Sequence, residues 1–135
     1  MYLLDTNVWL ERLLEQERSE EVANFLNRFF SEQLFITDFA FHSIGLILDR
    51  LNKTEIFLKF IKDIFIEGSV SLIHLEVEDM DNLTSLKVKY DLDFDDAYQY
   101  VAAERYSLIF ISFDRDFDKT DKGRKTPNEI LNGLS

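Results

Sequence analysis

Three aspartates follow or begin apolar segments of the chain, and they have the chemistry of hard metal ligands. Asp5 comes directly after the apolar N-terminal run, and Asp114 follows the apolar run 108–111. Asp96 opens an amphipathic segment for which Asp93 is the candidate helix N-cap. The positive end of that helix dipole favours a carboxylate, so we expect Asp96 to be ionised.

Carboxylates at these places are expected to meet although they are far apart in the sequence. In an open parallel α/β sheet, ligands bind beyond the carboxyl ends of the strands. Carboxylates gathered there stay ionised together only if positive charge lies among them. The chain has no cysteine and two histidines, which excludes a thiolate or multi-histidine site. Oxygen ligands favour Mg²⁺ or Mn²⁺.

The order of apolar segments predicts the fold that brings these residues together. Strands are predicted near residues 1–4, 34–36, 70–74 and 108–111, and the last of these runs is expected to be buried on both faces. Two amphipathic helices are predicted between each pair of strands, including one over 20–31. The pattern predicts an α/β fold with a central parallel sheet between two helical layers, in a single domain, 1–135.

Composition and charge limit the partners. The formal net charge is −11, which argues against an electrostatically steered, tight binder of nucleic-acid backbones. The sequence shows no signal-peptide pattern and no long uncharged apolar run, so we expect a cytoplasmic protein. Lys119, Lys122, Arg124 and Lys125 form one basic segment. This segment would either contact RNA phosphates or be a solvated loop.

The motifs resemble those of PIN (PilT N-terminal) domains over essentially the whole chain. The resemblance rests on Asp5-Thr6-Asn7 after the first strand, Asp96-Ala97 at a late helix, and the run 112–117, Ser-Phe-Asp-Arg-Asp-Phe. It implies a PIN-like α/β/α fold and a VapC-like, Mg²⁺- or Mn²⁺-dependent endoribonuclease that cleaves single-stranded RNA. It also implies a small antitoxin protein as partner and a homodimer.

The same resemblance, with the chemistry of the side chains, assigns roles to residues. Asp5 and Asp96 are predicted direct metal ligands, with Asp114 as a ligand or as the group that orients water, and Asp116 as a further candidate ligand. Two uncharged side chains, Asn7 and Ser112, are predicted to hold these carboxylates by hydrogen bonds. The predicted substrate-binding residues are Lys122, Arg124 and Lys125.

One position departs from the family pattern. PIN domains normally carry a glutamate in the helix after the second strand, and the matching position here is Ser43, beside His42. Either Asp38, Asp95 or Asp116 compensates for the missing acid, or the site holds its cation more weakly. The neighbouring His42 is interpreted either as a substrate contact or, preferably, as a packed and hydrogen-bonded side chain.

Other interpretations of the same residues stay open at this point. Asp5 and Asp96 are also ordinary residues at a helix start, and Asp114 and Asp116 are ordinary turn residues. A catalytically degenerate PIN domain that binds RNA or protein without cutting is the main alternative. A phosphate-handling enzyme of the haloacid-dehalogenase type is less favoured, because it needs an aspartate where this chain has Asn7.

Overall fold

The computed structural model describes residues 1–134, which form one four-stranded parallel sheet between two layers of helices. The strands are β1 (Tyr2–Leu4), β2 (Leu34–Thr37), β3 (Ser71–Ile73) and β4 (Ile109–Ile111). The α-helices of the described residues are α1 (Thr6–Leu13), α2 (Ser19–Arg28), α3 (Asp38–Arg50), α4 (Thr54–Ile61), α5 (Met80–Tyr90), α6 (Phe94–Arg105) and α7 (Pro127–Asn132). A π-helical turn, Lys62–Ile66, extends α4, and short 3₁₀ turns lie at Ser31–Gln33, Val77–Asp79 and Arg115–Lys119.

The strand order is β3-β2-β1-β4, with every neighbouring pair parallel. The chain therefore moves outward from β1 to β3 on one side and returns to pair β4 with the other side of β1. Ligands in such sheets bind where the strand order reverses, beyond the carboxyl ends of the strands. Here that place lies between β1 and β4, which are followed directly by Asp5 and Ser112. The predicted parallel α/β/α fold is confirmed.

Alternate side chains of β1 anchor two cores, one on each face of the sheet. Leu3 packs with α5 and α6, in a cluster that includes Leu83, Tyr100 and Phe117. Leu4 packs with α1 to α4 on the opposite face. This alternation follows from the two-residue period of a strand. Both faces of the central strands are thus covered, and the polar groups that follow them are held at one edge.

Two predicted features of the elements are wrong in detail. Helix α2 ends at Arg28, because Phe29 is already extended on the way to β2, and Phe30 is 77% exposed instead of lying on an apolar helix face. Strand β4 is buried on both faces only in its second half, where Phe110 and Ile111 lie in the two opposite cores, whereas Ile109 at its start is 43% exposed. Within residues 1–134 no helix is long and apolar enough to span a bilayer.

Candidate active site

An open cavity of about 290 Å³ lies at the carboxyl edge of the sheet, between α1, α3 and α6. Its floor is formed by the residues that follow β1, and its walls are contributed by the other elements. The lining residues are Asp5, Thr6, Asn7, Leu10, Phe39, Ser43, Ile47, Asp95, Asp96, Gln99 and Asp114. The fold therefore brings the three predicted aspartates Asp5, Asp96 and Asp114 to one cavity.

Asp5 is buried at the floor of this cavity, where both of its carboxylate oxygens accept hydrogen bonds. Oδ1 accepts from the backbone N–H of Thr6 at 2.8 Å and from Gln99 Nε2 at 3.0 Å. Oδ2 accepts from Ser112 Oγ at 2.8 Å and from Asn7 Nδ2 at 3.3 Å. Burial nevertheless raises the pKa of Asp5, because its desolvation outweighs these bonds, and the charge of Asp114 acts in the same direction. The carboxylate is positioned firmly at an electrostatic cost.

Ser112 and Asn7 connect Asp5 to the segment that carries Asp114. Ser112 Oγ donates to Asp5 and accepts the backbone N–H of Asp114 at 3.0 Å. Asn7 Oδ1 accepts the backbone N–H of Phe113 at 3.2 Å, and its Nδ2 also contacts Ser112 Oγ at 3.2 Å. These hydrogen bonds connect the segment that follows β1 to the segment that follows β4. A rearrangement of either segment would therefore move both Asp5 and Asp114.

Asp96 lies in the first turn of α6, whose N-cap is Asp93, as the sequence predicts. The Asp93 side chain accepts the backbone N–H of Asp96 at 3.0 Å. The expectation that Asp96 is simply ionised is wrong for the metal-free protein, since its pKa is raised to about 7. Desolvation is the largest cause, followed by the charges of Asp93, Asp114 and Asp5. Desolvation, together with the crowding of negative charge, outweighs the favourable end of the helix dipole.

Three carboxylates converge closely enough to hold one cation. Among the described residues, Asp96, Asp114 and Asp116 each offer an oxygen, and these oxygens all lie within 4.8 Å of one another. Asp5 lies outside this set, although it lines the same cavity. Asp114 is fixed in part by the backbone N–H of Asp116, which its Oδ1 accepts at 2.9 Å. An all-oxygen, acid-rich group fits a hard divalent cation such as Mg²⁺ or Mn²⁺.

Helix α3 brings Ser43 to the cavity instead of an acid. Of the aspartates considered as substitutes, Asp95 lines the cavity and Asp116 belongs to the carboxylate cluster. Asp38 is engaged elsewhere, because its Oδ1 accepts the hydroxyl of Tyr98 at 2.8 Å. The preferred interpretation of His42 is wrong: its side chain is exposed, and within residues 1–134 it has no hydrogen-bond partner.

The basic residues lie around a different cavity from the acids. Lys122, Arg124 and Lys125 line a cavity of about 280 Å³ beside β4. The guanidinium of Arg124 is largely engaged within the protein, because it donates hydrogen bonds to the Asp118 carboxylate at 3.1 and 3.2 Å and to the carbonyl of Ser112 at 3.1 Å. Lys125 is exposed, and no partner of its side chain lies among the described residues. The segment is therefore not a row of four free cations.

Sequence reasoning missed Gln99, the residue that joins the acid site to the core. Gln99 is 1% exposed and lies one turn after Asp96 on α6. Its Nε2 donates to Asp5, and its Oε1 accepts the hydroxyl of buried Thr37 at 2.6 Å. A polar residue on the buried face of an amphipathic helix was the available signal, since a buried amide needs partners.

Comparison with known proteins agrees with this architecture. The family model described as "PIN domain" matches residues 2–123, whereas no curated protein matches the sequence closely enough to be a relative. A toxin–antitoxin complex from Klebsiella pneumoniae is 19% identical, with a TM-score of 0.75 over 94% of this chain and 98% of that chain. FitAB bound to an IR36 DNA fragment is 18% identical, with a TM-score of 0.79 over 94% and 95%.

A third similar structure is Mycobacterium tuberculosis VapC20, described as a sarcin-ricin loop cleaving toxin. It is 12% identical, with a TM-score of 0.75 over 90% of this chain and 96% of that chain. At these identities the structural likeness establishes the fold. The family model, which matches nearly the whole length, goes further: this chain belongs to the PIN domain family.

Proposed function

We propose that this protein is a metal-dependent endoribonuclease that cleaves single-stranded RNA, and that it is the toxin of a VapBC-type toxin–antitoxin pair. The observation that carries the proposal is the carboxylate cluster of Asp96, Asp114 and Asp116 in an open cavity at the carboxyl edge of a PIN-domain sheet. Within residues 1–134 none of these three carboxylates forms an ion pair with a lysine or an arginine, and a cluster of this kind is suited to binding Mg²⁺ or Mn²⁺.

In this proposal the four aspartates have different positions around one cation. Asp96 and Asp114 hold the cation, with Asp116 as an additional ligand at the solvent side, where it is exposed. Asp5 completes the site from the floor through Oδ2, whose 3.3 Å contact with Asn7 is the longest of its four hydrogen bonds. A bound divalent cation would supply polarisation of the phosphodiester and activation of water. Asn7 and Ser112 keep the two loops in register while RNA binds.

The relatives support the partner classes. One of the similar structures is described as a toxin–antitoxin complex and VapC20 as a sarcin-ricin loop cleaving toxin, and on this basis a small antitoxin, an RNA substrate and a cytoplasmic location are proposed here. A homodimer is proposed on the family resemblance. RNA approach to a chain of net charge −11 requires that bound cations neutralise part of the cavity, with Lys125 available as a phosphate contact.

The direct test is cleavage of a fluorescent single-stranded RNA by purified protein in Mn²⁺ or Mg²⁺, with EDTA as the metal-free condition. Asp96→Asn, purified identically, controls for contaminating nuclease. The proposal predicts cutting that needs metal and is lost in the variant. Absence of cutting by folded wild-type protein, across both metals and several RNAs, would contradict it. Growth arrest on expression, relieved by a neighbouring small open reading frame, tests the toxin assignment separately.

One observation favours a second candidate function, a PIN domain that binds RNA or protein without cutting. Helix α3 places Ser43 in the cavity where the family normally supplies glutamate, so the site has one acid fewer on that wall. This candidate predicts RNA or partner binding that is unchanged by EDTA and by Asp96→Asn. The same RNA, used in a binding assay, distinguishes the two.

A further inference from the structure

Gln99 lies between the acid site and the core with both ends of its amide engaged. The side chain is 1% exposed, and Thr37, which contacts it, is fully buried. Thr37 Oγ1 accepts the backbone N–H of Ala40 at 3.0 Å, so its proton is donated to Gln99 Oε1 at 2.6 Å. The Nε2 end is thereby turned towards Asp5, to which it donates at 3.0 Å.

Asp5 and Thr37 together decide the orientation of this amide. If the Gln99 amide were reversed, its carbonyl oxygen would face the carboxylate of Asp5, which is repulsive, and the Thr37 hydroxyl would have to turn its proton away from Gln99 to accept the NH₂ group. Two buried groups would then lose their hydrogen-bond partners, with no water to replace them. The chain of bonds from Ala40 through Thr37 and Gln99 to Asp5 therefore has one direction.

This orientation determines which oxygen of Asp5 is available to the cavity. Oδ1 is occupied by two short contacts, from Thr6 N–H and Gln99, and each carboxylate oxygen has about two acceptor sites. Oδ2 has one short contact, with Ser112, and one long contact, with Asn7. Gln99 thus fixes the carboxylate through Oδ1 and leaves Oδ2 as the oxygen that exchanges a partner most readily.

We infer that Gln99 is a positioning residue for the cation site: held by Thr37, it orients Asp5 so that a site without an acid on α3 still binds a divalent cation. The inference rests on the proposed function. Because helix α3 places Ser43 in the cavity instead of a carboxylate, fewer charged ligands are left for the cation. The affinity for the cation then depends more strongly on how the remaining carboxylates are oriented. Residues that hold metal ligands by hydrogen bonds commonly change metal affinity or activity by about 10- to 100-fold when removed.

The test measures Mn²⁺ affinity directly, by isothermal titration calorimetry on the full chain. Gln99→Met retains the length and volume of the side chain but has no donor, and the expected result is Mn²⁺ binding about tenfold weaker. Gln33→Met is the matched control, because Gln33 also makes a side-chain hydrogen bond, to Phe30 N–H, at the opposite end of β2. Its Mn²⁺ affinity is expected to equal that of wild type.

Variants of Thr37 keep the inference testable if Gln99→Met folds poorly. Thr37→Ser retains the hydroxyl and should retain wild-type affinity, whereas Thr37→Val frees the Gln99 amide and should weaken Mn²⁺ binding. Unchanged Mn²⁺ affinity in folded Gln99→Met or in folded Thr37→Val overturns the inference and leaves the proposed cation site intact. A wild-type protein that binds no Mn²⁺ overturns the proposed site and this inference with it.

Discussion

Replacing Asp96 by asparagine is expected to make the metal-free protein more stable at alkaline pH. The reason is the raised pKa of Asp96, about 7 against an ordinary value of 3.8. Burial and the neighbouring carboxylates make its ionised form unfavourable in the folded state. A neutral amide of the same shape removes this penalty, at the expense of the cation site.

The magnitude follows from the pKa. One pKa unit corresponds to about 1.4 kcal/mol, so a rise from 3.8 to about 7 sets an upper limit of roughly 4 kcal/mol. Asp96 is only partly buried, and solvent and salt screen its interactions with Asp93 and Asp114. Asparagine also loses the attraction of the helix dipole, about 0.3 to 1 kcal/mol. A net gain of roughly 1 kcal/mol is expected, or about 3 to 5 °C in Tm for a chain of this size.

The dependence on pH has a definite sign. The unfolded chain releases the Asp96 proton near pH 4 and the folded protein releases it near pH 7. The folded state therefore holds more protons between these values, and wild-type stability falls as pH rises through that window. The advantage of Asp96→Asn should be full above about pH 7, shrink through the window and vanish below about pH 4.

Thermal unfolding followed by circular dichroism, in EDTA and over this pH range, measures the effect. Asp95→Asn is the control, because Asp95 lies in the same helical turn but is exposed. It should be slightly less stable than wild type, since it loses only its interaction with the helix dipole. An Asp96→Asn protein that is no more stable than wild type near pH 8, or whose advantage persists below about pH 4, would refute the reasoning.

Three further predictions concern the cavity wall, the basic segment and a packed glycine. Ser43→Glu should bind Mn²⁺ several-fold more tightly than Ser43→Gln in calorimetry, because it adds a carboxylate to the cavity; equal affinities would count against the cavity as the cation site. Arg124→Gln should lower the free energy of unfolding by about 1 to 2 kcal/mol in a urea titration, because it loses its hydrogen bonds to Asp118 and to the Ser112 carbonyl. Lys125→Gln should leave the free energy of unfolding unchanged and reduce the salt slope of RNA binding by about 0.7. If Lys125→Gln destabilised the protein and Arg124→Gln instead reduced the salt slope, the exposed lysine would be the structural residue. Gly68→Ala should cost about 1 to 3 kcal/mol, since its Cβ would lie 2.7 Å from the Asp63 carbonyl oxygen; Gly133→Ala, with its nearest contact at 3.4 Å, is the near-neutral control.

The convergence of the acids could be predicted from the sequence because it depends on topology. Apolar runs followed by polar residues marked the ends of parallel strands, and parallel strands present those ends at one edge. Local capping was equally readable: Asp93 caps α6, and Thr126 with Glu129 forms a capping box at α7. These features depend on residues close together in the chain, or on a rule that holds for all parallel sheets.

Other features depended on contacts that the sequence does not specify. The raised pKa of Asp96 comes first from its burial in the folded protein and then from the charges of Asp93, Asp114 and Asp5, of which only Asp93 is a near neighbour in the sequence. Together these causes outweigh the local helix dipole. Gln99 has its role only because α6 packs its buried face against the ends of β1 and β2, beside Asp5 and Thr37. Pairing within one loop likewise changed the interpretation of the basic segment, because Arg124 forms a salt bridge with Asp118, six residues before it in the chain.

The central claim is that the carboxylates of Asp96, Asp114 and Asp116 form the cation site of this PIN domain. Anomalous diffraction from crystals soaked in Mn²⁺ tests it most directly. The account predicts an anomalous peak in the cavity beyond β1 and β4, with oxygens of Asp96 and Asp114 about 2.1 Å from the ion. A protein whose Mn²⁺ is found elsewhere, or whose cavity stays without a peak at saturating Mn²⁺ near pH 8, where Asp96 is ionised, would contradict it.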